Sequence, residues 1–184
     1  MGQIFQKVKN LFQPKKIKLF MLGIWCSGKT TMLYRMKLGE VVRTIPTIGF
    51  NVEEIQYNDV IFEITEAGGG DRIYTLFPHY MARKDGIILI VDSSDLDQNI
   101  YYKELLQTTF RKCINCIYLN KQIPVLILAN KSDKCKFTDN EILQYVGVHN
   151  IENNIFYKII HTNCISGEGI NETFEWLYQT YTNQ

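Results

Sequence analysis

The sequence predicts an α/β domain in which a six-stranded, mostly parallel sheet carries helices on both faces. Six short apolar runs with strand character alternate with segments of helical periodicity. Two of the runs, at 86–92 and 124–130, are continuously apolar, as expected of strands covered on both faces. Strand–helix alternation also favours right-handed connections between parallel neighbours.

The first element, within residues 1–16, is expected to be an amphipathic helix. Five apolar side chains share one of its faces: Ile4, Phe5, Val8, Leu11 and Phe12. Pro14 ends the helix. No acidic residue precedes Glu40, so this end of the chain is basic.

Residues 17–184 are predicted to form the globular domain. The strand-like runs are IKLFML (17–22), FNVEEIQY (50–57), VIFEI (60–64), GIILIVD (86–92), PVLILAN (124–130) and FYKIIHT (156–162). Helical patterns occupy 29–38, roughly 98–118, 138–147 and 170–181. A turn is predicted near Asn58 and Asp59. Thr138 followed by Glu141 predicts a helix-capping box.

Composition excludes several classes of protein. The chain has 184 residues, 46% hydrophobic and 21% charged, which suits one globular domain rather than a disordered chain. A net charge of +1 gives no argument for nucleic-acid binding, and we expect a monomer without a nucleic-acid partner. Cys113 and Cys116 lack a second pair to complete a zinc site, so we expect reduced thiols and a cytoplasmic protein. No apolar run approaches the roughly 20 residues of a membrane-spanning helix.

The stretch GIWCSGKTT, residues 23–31, follows the first strand and matches the phosphate-binding loop pattern. Its glycines let backbone N–H groups converge on phosphate, Lys29 can reach the β- and γ-oxygens, and the Thr30 hydroxyl can bind magnesium. The N-terminal end of the following helix adds positive potential. An ordinary glycine-rich turn is the alternative. The predicted contacts are Gly23, Cys26, Ser27, Gly28, Lys29, Thr30 and Thr31.

A second motif, Asn130-Lys131-Ser132-Asp133, directly follows the strand-like run PVLILA. Asp133 can accept hydrogen bonds from guanine N1–H and N2–H, and Asn130 can bond the base edge. Alone the motif is also a plausible polar turn. After a phosphate-binding loop it indicates guanine, and it argues against an ATPase or kinase.

With these motifs the chain resembles a divergent member of the Arf and Arf-like (ADP-ribosylation factor) family of small GTPases. The resemblance spans the chain and is carried by MGQIF (1–5), TIPTIGFNVE (44–53), GIILIVDSSD (86–95) and SGEGI (166–170). It implies the P-loop small-GTPase fold over 17–184, with GTP or GDP and Mg²⁺ as cofactors. It also implies an exchange factor, a GTPase-activating protein and effectors as partners, and a switch of vesicle traffic on Golgi or other endomembranes.

The resemblance assigns further residues by position. Thr47 matches the switch I threonine that binds magnesium beside Thr30, and Gly69 matches the switch II glycine whose N–H bonds the γ-phosphate. Cys164 stands where the family has alanine and contacts the base through a backbone N–H. Gly2 matches the myristoylation site, which would help the N-terminal helix to bind membranes, although Gln6 departs from the preferred Ser or Thr. In the family this helix is docked with GDP and released with GTP, as the hairpin 50–66 shifts register.

The resemblance implies that Lys29, Thr47 and the residue at position 70, here Gly70, take part in catalysis. Three positions in or near this machinery depart from the family. Gly70 replaces the glutamine that orients the attacking water, and Glu66 replaces the aspartate that holds magnesium through water. Trp25 stands in the loop, either across the γ-phosphate edge or packed aside. We expect binding to persist and hydrolysis to be weak or dependent on an activating protein. The alternative is a non-hydrolysing, persistently GTP-bound membrane scaffold.

The expected effector surface also departs from the family. Phe50 and Tyr80 match two members of an aromatic triad, but Thr65 stands where tryptophan is expected. Large aromatic residues commonly anchor interfaces, so the usual effectors are not expected to recognise this surface unchanged. The region 111–123 is also expected to be longer than its counterpart in the family.

Overall fold

The computed structural model describes residues 14–68, 76–81, 83–96, 100–116, 122–151 and 155–183. Three predictions fall outside these residues: the N-terminal helix, the myristoylation site Gly2, and the roles of the switch II glycines Gly69 and Gly70. The structure therefore bears on the globular domain alone.

Six strands form one sheet, as predicted. The elements are β1 (Lys15–Leu22), α1 (Lys29–Leu38), β2 (Phe50–Tyr57), β3 (Val60–Ala67), α2 (Phe77–Met81), β4 (Gly86–Asp92), α3 (Ile100–Cys116), β5 (Ile123–Asn130), α4 (Asp139–Val146), β6 (Ile155–Thr162) and α5 (Ile170–Thr182). The strand order is β2-β3-β1-β4-β5-β6, with β2 antiparallel to β3 and the other neighbours parallel.

Alternate side chains of β5 enter two apolar cores, one on each face of the sheet. Val125 and Ile127 pack in the core that contains Phe110 of α3. Leu126 packs in the other core, with Leu33 of α1. All eight residues of β5 are buried, which explains its continuously apolar sequence. The prediction of helices on both faces is confirmed.

The predicted turn and the predicted helix cap are both present in the structure. Asn58 adopts a φ of 52° in the turn between β2 and β3, a conformation that asparagine tolerates better than most residues. At the start of α4 the backbone N–H of Thr138 donates to Glu141 Oε2 (2.8 Å), and that of Glu141 donates to Thr138 Oγ1 (3.4 Å). This reciprocal pair is the predicted capping box.

Several boundaries differ from the predictions. Strand β1 begins at Lys15, so the last two residues of the expected N-terminal segment 1–16 belong to the sheet. Strand β3 continues to Ala67, past the run that predicted it, and therefore carries Glu66 to the end of the strand. Helix α3 ends at Cys116, before the undescribed residues 117–121, so the expected extension of that region is not tested. Among the described helices, none combines the length and apolar character needed to cross a bilayer.

Candidate nucleotide-binding site

The phosphate-binding loop connects the carboxyl end of β1 to α1, on the edge of the sheet where parallel α/β folds bind ligands. Gly28 has a φ of 94°, and a Cβ added there would lie 2.3 Å from Asn130 Nδ2. Only glycine allows this conformation and this close approach without strain. The loop and the predicted guanine motif are thus packed against each other.

Lys29 begins α1, and its side chain folds back over the loop. It is 6% exposed, and its Nζ donates to the carbonyl oxygens of Gly23 (2.9 Å) and Ile24 (2.8 Å). Burial lowers the pKa of Lys29 to about 8, while the negative charge of Glu66 opposes the shift. An anion bound here would stabilise the ammonium form, as phosphate binding requires.

Three side-chain oxygens that could bind a metal ion converge beside Lys29. The hydroxyls of Thr30 and Thr47, both predicted as metal ligands, lie 3.0 Å apart. Glu66 Oε1 accepts a hydrogen bond from Thr30 and lies 3.5 Å from Thr47 Oγ1. Thr47 reaches this cluster from the segment between α1 and β2, and Glu66 reaches it from the end of β3. The structure therefore brings the two predicted metal ligands together.

Glu66 is a fully buried carboxylate in this cluster. It has 0% exposure, and its Oε2 makes no hydrogen bond with any described residue. Burial raises the pKa of Glu66, whereas the Thr30 hydrogen bond and the Lys29 charge oppose the shift. Mg²⁺ prefers oxygen ligands, so an all-oxygen cluster with an unpaired buried carboxylate oxygen fits that ion.

A cleft of about 470 Å³ opens above these groups. Its lining includes Cys26, Gly28, Lys29, Thr30, Thr31 and Thr47. This volume lies within the usual range of small-molecule sites, about 300–1,000 Å³. Ser27 is buried beneath the loop, where its Oγ donates to the Ile24 carbonyl at 2.9 Å.

Asn130 links the phosphate-binding loop to Cys164. Its side chain is fully buried, Nδ2 donates to the Ser27 carbonyl (2.8 Å), and Oδ1 accepts from the Cys164 backbone N–H (3.2 Å). The N–H of Cys164, expected to contact the base, is thus already bonded to Asn130. Both residues hold the base end of the site in register with the loop.

Asp133 is exposed at this end of the site, and Asn163 orients it. Asn163 Nδ2 donates to Asp133 Oδ1 (2.9 Å), while Asn163 Oδ1 accepts from the backbone N–H groups of Ile165 (2.9 Å) and Ser166 (3.2 Å). Sequence reasoning missed Asn163, because no motif spacing links it to Asp133. Lys131 of the same motif forms an ion pair with Asp92 at the end of β4.

The family assignment follows from comparison with known proteins. A sequence model of the ADP-ribosylation factor family matches residues 1–181. The chain belongs to this family. The solved structure of the small GTPase Arl6 (BBS3) from Trypanosoma brucei, with the nucleotide analogue GppNp bound, is similar to it, with a TM-score of 0.77 and 28% sequence identity. The match covers 92% of this chain and 99% of that one, and confirms the predicted small-GTPase fold.

Trp25 gives this member of the ADP-ribosylation factor family an unusual loop. Its side chain is 48% exposed and borders the cleft beside Thr44, Ile45 and Thr47. Its ring lies 6.0 Å from that of Tyr102 in α3, centroid to centroid. The indole therefore packs against a helix while it forms part of the cleft rim. Sequence reasoning missed Tyr102, which lies far from the loop along the chain.

The position of the family's missing tryptophan is occupied by a polar network. Thr65 is 3% exposed, and its hydroxyl accepts a hydrogen bond from Lys84 Nζ at 2.6 Å. Lys84 Nζ also lies 3.7 Å from Glu63 Oε1. The two aromatic residues that match the triad remain together, because the rings of Phe50 and Tyr80 have centroids 3.9 Å apart. The surface thus keeps its aromatic pair beside a buried lysine.

Proposed function

We propose that the chain is a guanine-nucleotide switch that binds GTP or GDP with Mg²⁺ and hydrolyses GTP slowly or only with an activating protein. The observation that carries this proposal is the convergence of Lys29, Thr30 and Thr47 on one cleft, locked through Asn130 to the guanine motif. Membership of the ADP-ribosylation factor family supports the switch role.

Each part of the site has a role in binding. The loop N–H groups and Lys29 bind the β- and γ-phosphates, and Asp133 accepts hydrogen bonds from the guanine N1–H and N2–H. Thr30 and Thr47 hold the metal ion, which when bound neutralises charge on the phosphates. These contacts do not involve Gly70, so its lack of a side chain leaves them intact.

Two features of the chain are expected to slow GTP hydrolysis. Gly70 has no side chain to orient the attacking water, a main protein contribution to phosphoryl transfer. The Trp25 side chain lines the same cleft as Thr47, the predicted γ-phosphate sensor. We infer that it narrows the approach of an activating protein's arginine. Such arginines contribute about 10³–10⁵ in rate, so an obstruction there costs more than a small intrinsic defect.

A second candidate function is a persistently GTP-bound membrane scaffold that does not hydrolyse its nucleotide. Gly70, Glu66 and Trp25 favour it. In either case the segment before β1, residues 1–14, supplies the membrane contact. A myristoyl chain on Gly2 gives only marginal binding, with an association constant of about 10⁴ M⁻¹, so the amphipathic helix is the second signal. A role in vesicle traffic at the Golgi or another endomembrane follows the family.

Effectors, the exchange factor and the activating protein would meet the surface around Phe50 and Tyr80. Thr65 and Lys84 are buried and bonded to each other, so the third aromatic group of the triad is absent from that surface. We therefore expect that the usual effectors of the family do not recognise this surface unchanged.

The test is single-turnover GTP cleavage by the wild-type protein and two variants, Gly70→Gln and Gly70→Ala. Gly70→Gln should accelerate cleavage because it restores a group that orients water. Gly70→Ala controls for the loss of glycine alone and should not accelerate it. Equal rates in the two variants would contradict the role assigned to position 70. Nucleotide retention, measured in parallel, separates a cleavage defect from a binding defect.

A further inference from the structure

Glu66 is an ionisable side chain in a buried position, where its charged form requires a partner. It lies near the end of β3, paired in register with Asn51 of β2 and Met21 of β1. It is completely buried, yet Oε2 has no hydrogen-bond partner among the described residues. The groups that contact this carboxyl are neutral, namely the hydroxyls of Thr30 and Thr47 and the side chain of Asn51. A buried carboxylate is normally paired with a cation or bound to a metal.

Lysine does not supply that partner. The nearby Lys29 directs its ammonium group to the carbonyl oxygens of Gly23 and Ile24 instead. In the described part of the chain, no ion pair joins Glu66 to a cationic side chain. Two hydroxyls, those of Thr30 and Thr47, are the groups that face its Oε1.

The spacing of these oxygens matches a metal-binding face. Octahedral Mg²⁺ has ligands at about 2.0–2.1 Å, so neighbouring ligand oxygens are about 2.9 Å apart. Thr30 Oγ1 and Thr47 Oγ1 are separated by 3.0 Å. Glu66 Oε1 is in contact with the first of these and 3.5 Å from the second. The three oxygens thus form an irregular triangle whose sides bracket the edge of an octahedral face.

We propose that Glu66 is a direct carboxylate ligand of the nucleotide-bound Mg²⁺, beside Thr30 and Thr47. The family's shorter aspartate holds the ion through water, and the extra methylene of Glu66 brings its carboxylate to the hydroxyls themselves. This inference rests on the proposed function, since the metal arrives with the nucleotide. Two hydroxyls, one carboxylate and two phosphate oxygens leave about one water in an octahedral shell.

The experiment counts the waters on the metal. The protein is loaded with Mn²⁺ and GppNp, and the broadening of the Mn²⁺ electron paramagnetic resonance lines is measured in ¹⁷O-enriched water. For wild-type protein the proposal predicts about one bound water, and for Glu66→Asp about two, because octahedral coordination then regains its water. Glu63→Asp removes the same methylene three residues away on the same strand and should leave the count at about one.

The outcomes distinguish a failure of the direct-ligand proposal from a failure of the proposed function. Two waters on wild-type protein would overturn the direct ligand, and this measurement needs no variant to fold. Equal counts in wild-type and Glu66→Asp protein would overturn it as well. A failure of wild-type protein to hold GppNp with any divalent ion would instead contradict the proposed function. Mg²⁺ titrations of the GppNp complex provide a second readout, in which Glu66→Asp should weaken binding of the ion about tenfold.

Discussion

The two ends of the nucleotide site differ in how far they depart from the family. At the base end Asn130 and Asp133 match the family's residues, and Cys164 departs only at a position expected to contact the base through its backbone. Asn130 Nδ2 donates a 2.8 Å hydrogen bond to the Ser27 carbonyl. At the switch end the loop carries Trp25, the end of β3 carries Glu66, and position 70 is glycine. Trp25 and Glu66 line the cleft that also contains Lys29 and Thr47.

This difference separates two properties that usually occur together. Affinity for a nucleotide depends on the loop, the lysine and the guanine motif, whereas turnover depends on groups that orient water and stabilise the transition state. A member of the family can thus lose the second set and retain the first.

The largest effect is expected for Lys29→Ala, which removes the buried cation of the phosphate-binding loop. Loss of several charge-assisted contacts should weaken nucleotide retention on the order of a hundredfold or more. Retention of fluorescent GTP and GDP during gel filtration measures the change. Lys37→Ala, on the same helix but in an ion pair with Glu53, should retain nucleotide normally. Full retention by the Lys29 variant would refute the site.

A smaller effect is expected at the base end from Asn163→Ala. The variant loses the 2.9 Å hydrogen bond that orients Asp133, which should lower GTP affinity about fivefold. Because Asp133 reads the N2–H group, the preference for GTP over ITP should shrink as well. Competition binding measures both values. Asn171→Ala, on the exposed side of α5, is the control, and an unchanged GTP-to-ITP ratio would mean that Asn163 does not position Asp133.

The switch end can be monitored through tryptophan fluorescence, since the chain has two tryptophans. Trp25 borders the cleft, whereas Trp176 stacks on Phe156 with ring centroids 5.7 Å apart. Addition of GppNp should change the emission of wild-type and Trp176→Phe protein but not that of Trp25→Phe protein. A response that follows Trp176 instead would place the indole of Trp25 away from the nucleotide.

The smallest effect is expected away from the site, at the cap of α4. Thr138→Ala removes the capping box and should lower the free energy of unfolding by about 1 kcal/mol, without a change in nucleotide affinity. Urea unfolding of the nucleotide-loaded protein measures the difference, with Thr182→Ala near the C-terminal end of α5 as the comparison. A large loss of affinity in the Thr138 variant would show that α4 is coupled to the site.

Sequence patterns predicted the features that depend on neighbours along the chain. The loop around Lys29, the turn at Asn58 and the capping box of Thr138 are local, so their residue types and spacings suffice. Contacts between distant segments were not predictable in this way, which is why Asn163 and Tyr102 were missed. They lie beside Asp133 and Trp25 only after the sheet brings their segments together.

The burial and contacts of Glu66 were likewise not predictable from neighbours along the chain. The sequence indicates that a glutamate replaces an aspartate, and the family pattern then suggests a weakened metal site. Its burial, its contact with the hydroxyls of Thr30 and Thr47 and its unpaired Oε2 depend on β3 reaching Ala67 beside the loop. These contacts suggest the opposite consequence, a closer hold on the ion.

We propose that the protein binds guanine nucleotide but hydrolyses it poorly. To test this directly, GTP is loaded onto the purified protein with Mg²⁺ and the bound nucleotide is followed over time. Chromatography of the bound nucleotide over time gives the ratio of GTP to GDP. At the intrinsic rate of Ras, a small GTPase with the glutamine in place, which is about 3–5 × 10⁻⁴ s⁻¹, most of the GTP would be GDP after about two hours. We predict that the nucleotide bound to this protein is still mostly GTP at that time. Mostly GDP would contradict impaired turnover, and absence of both nucleotides would contradict binding itself.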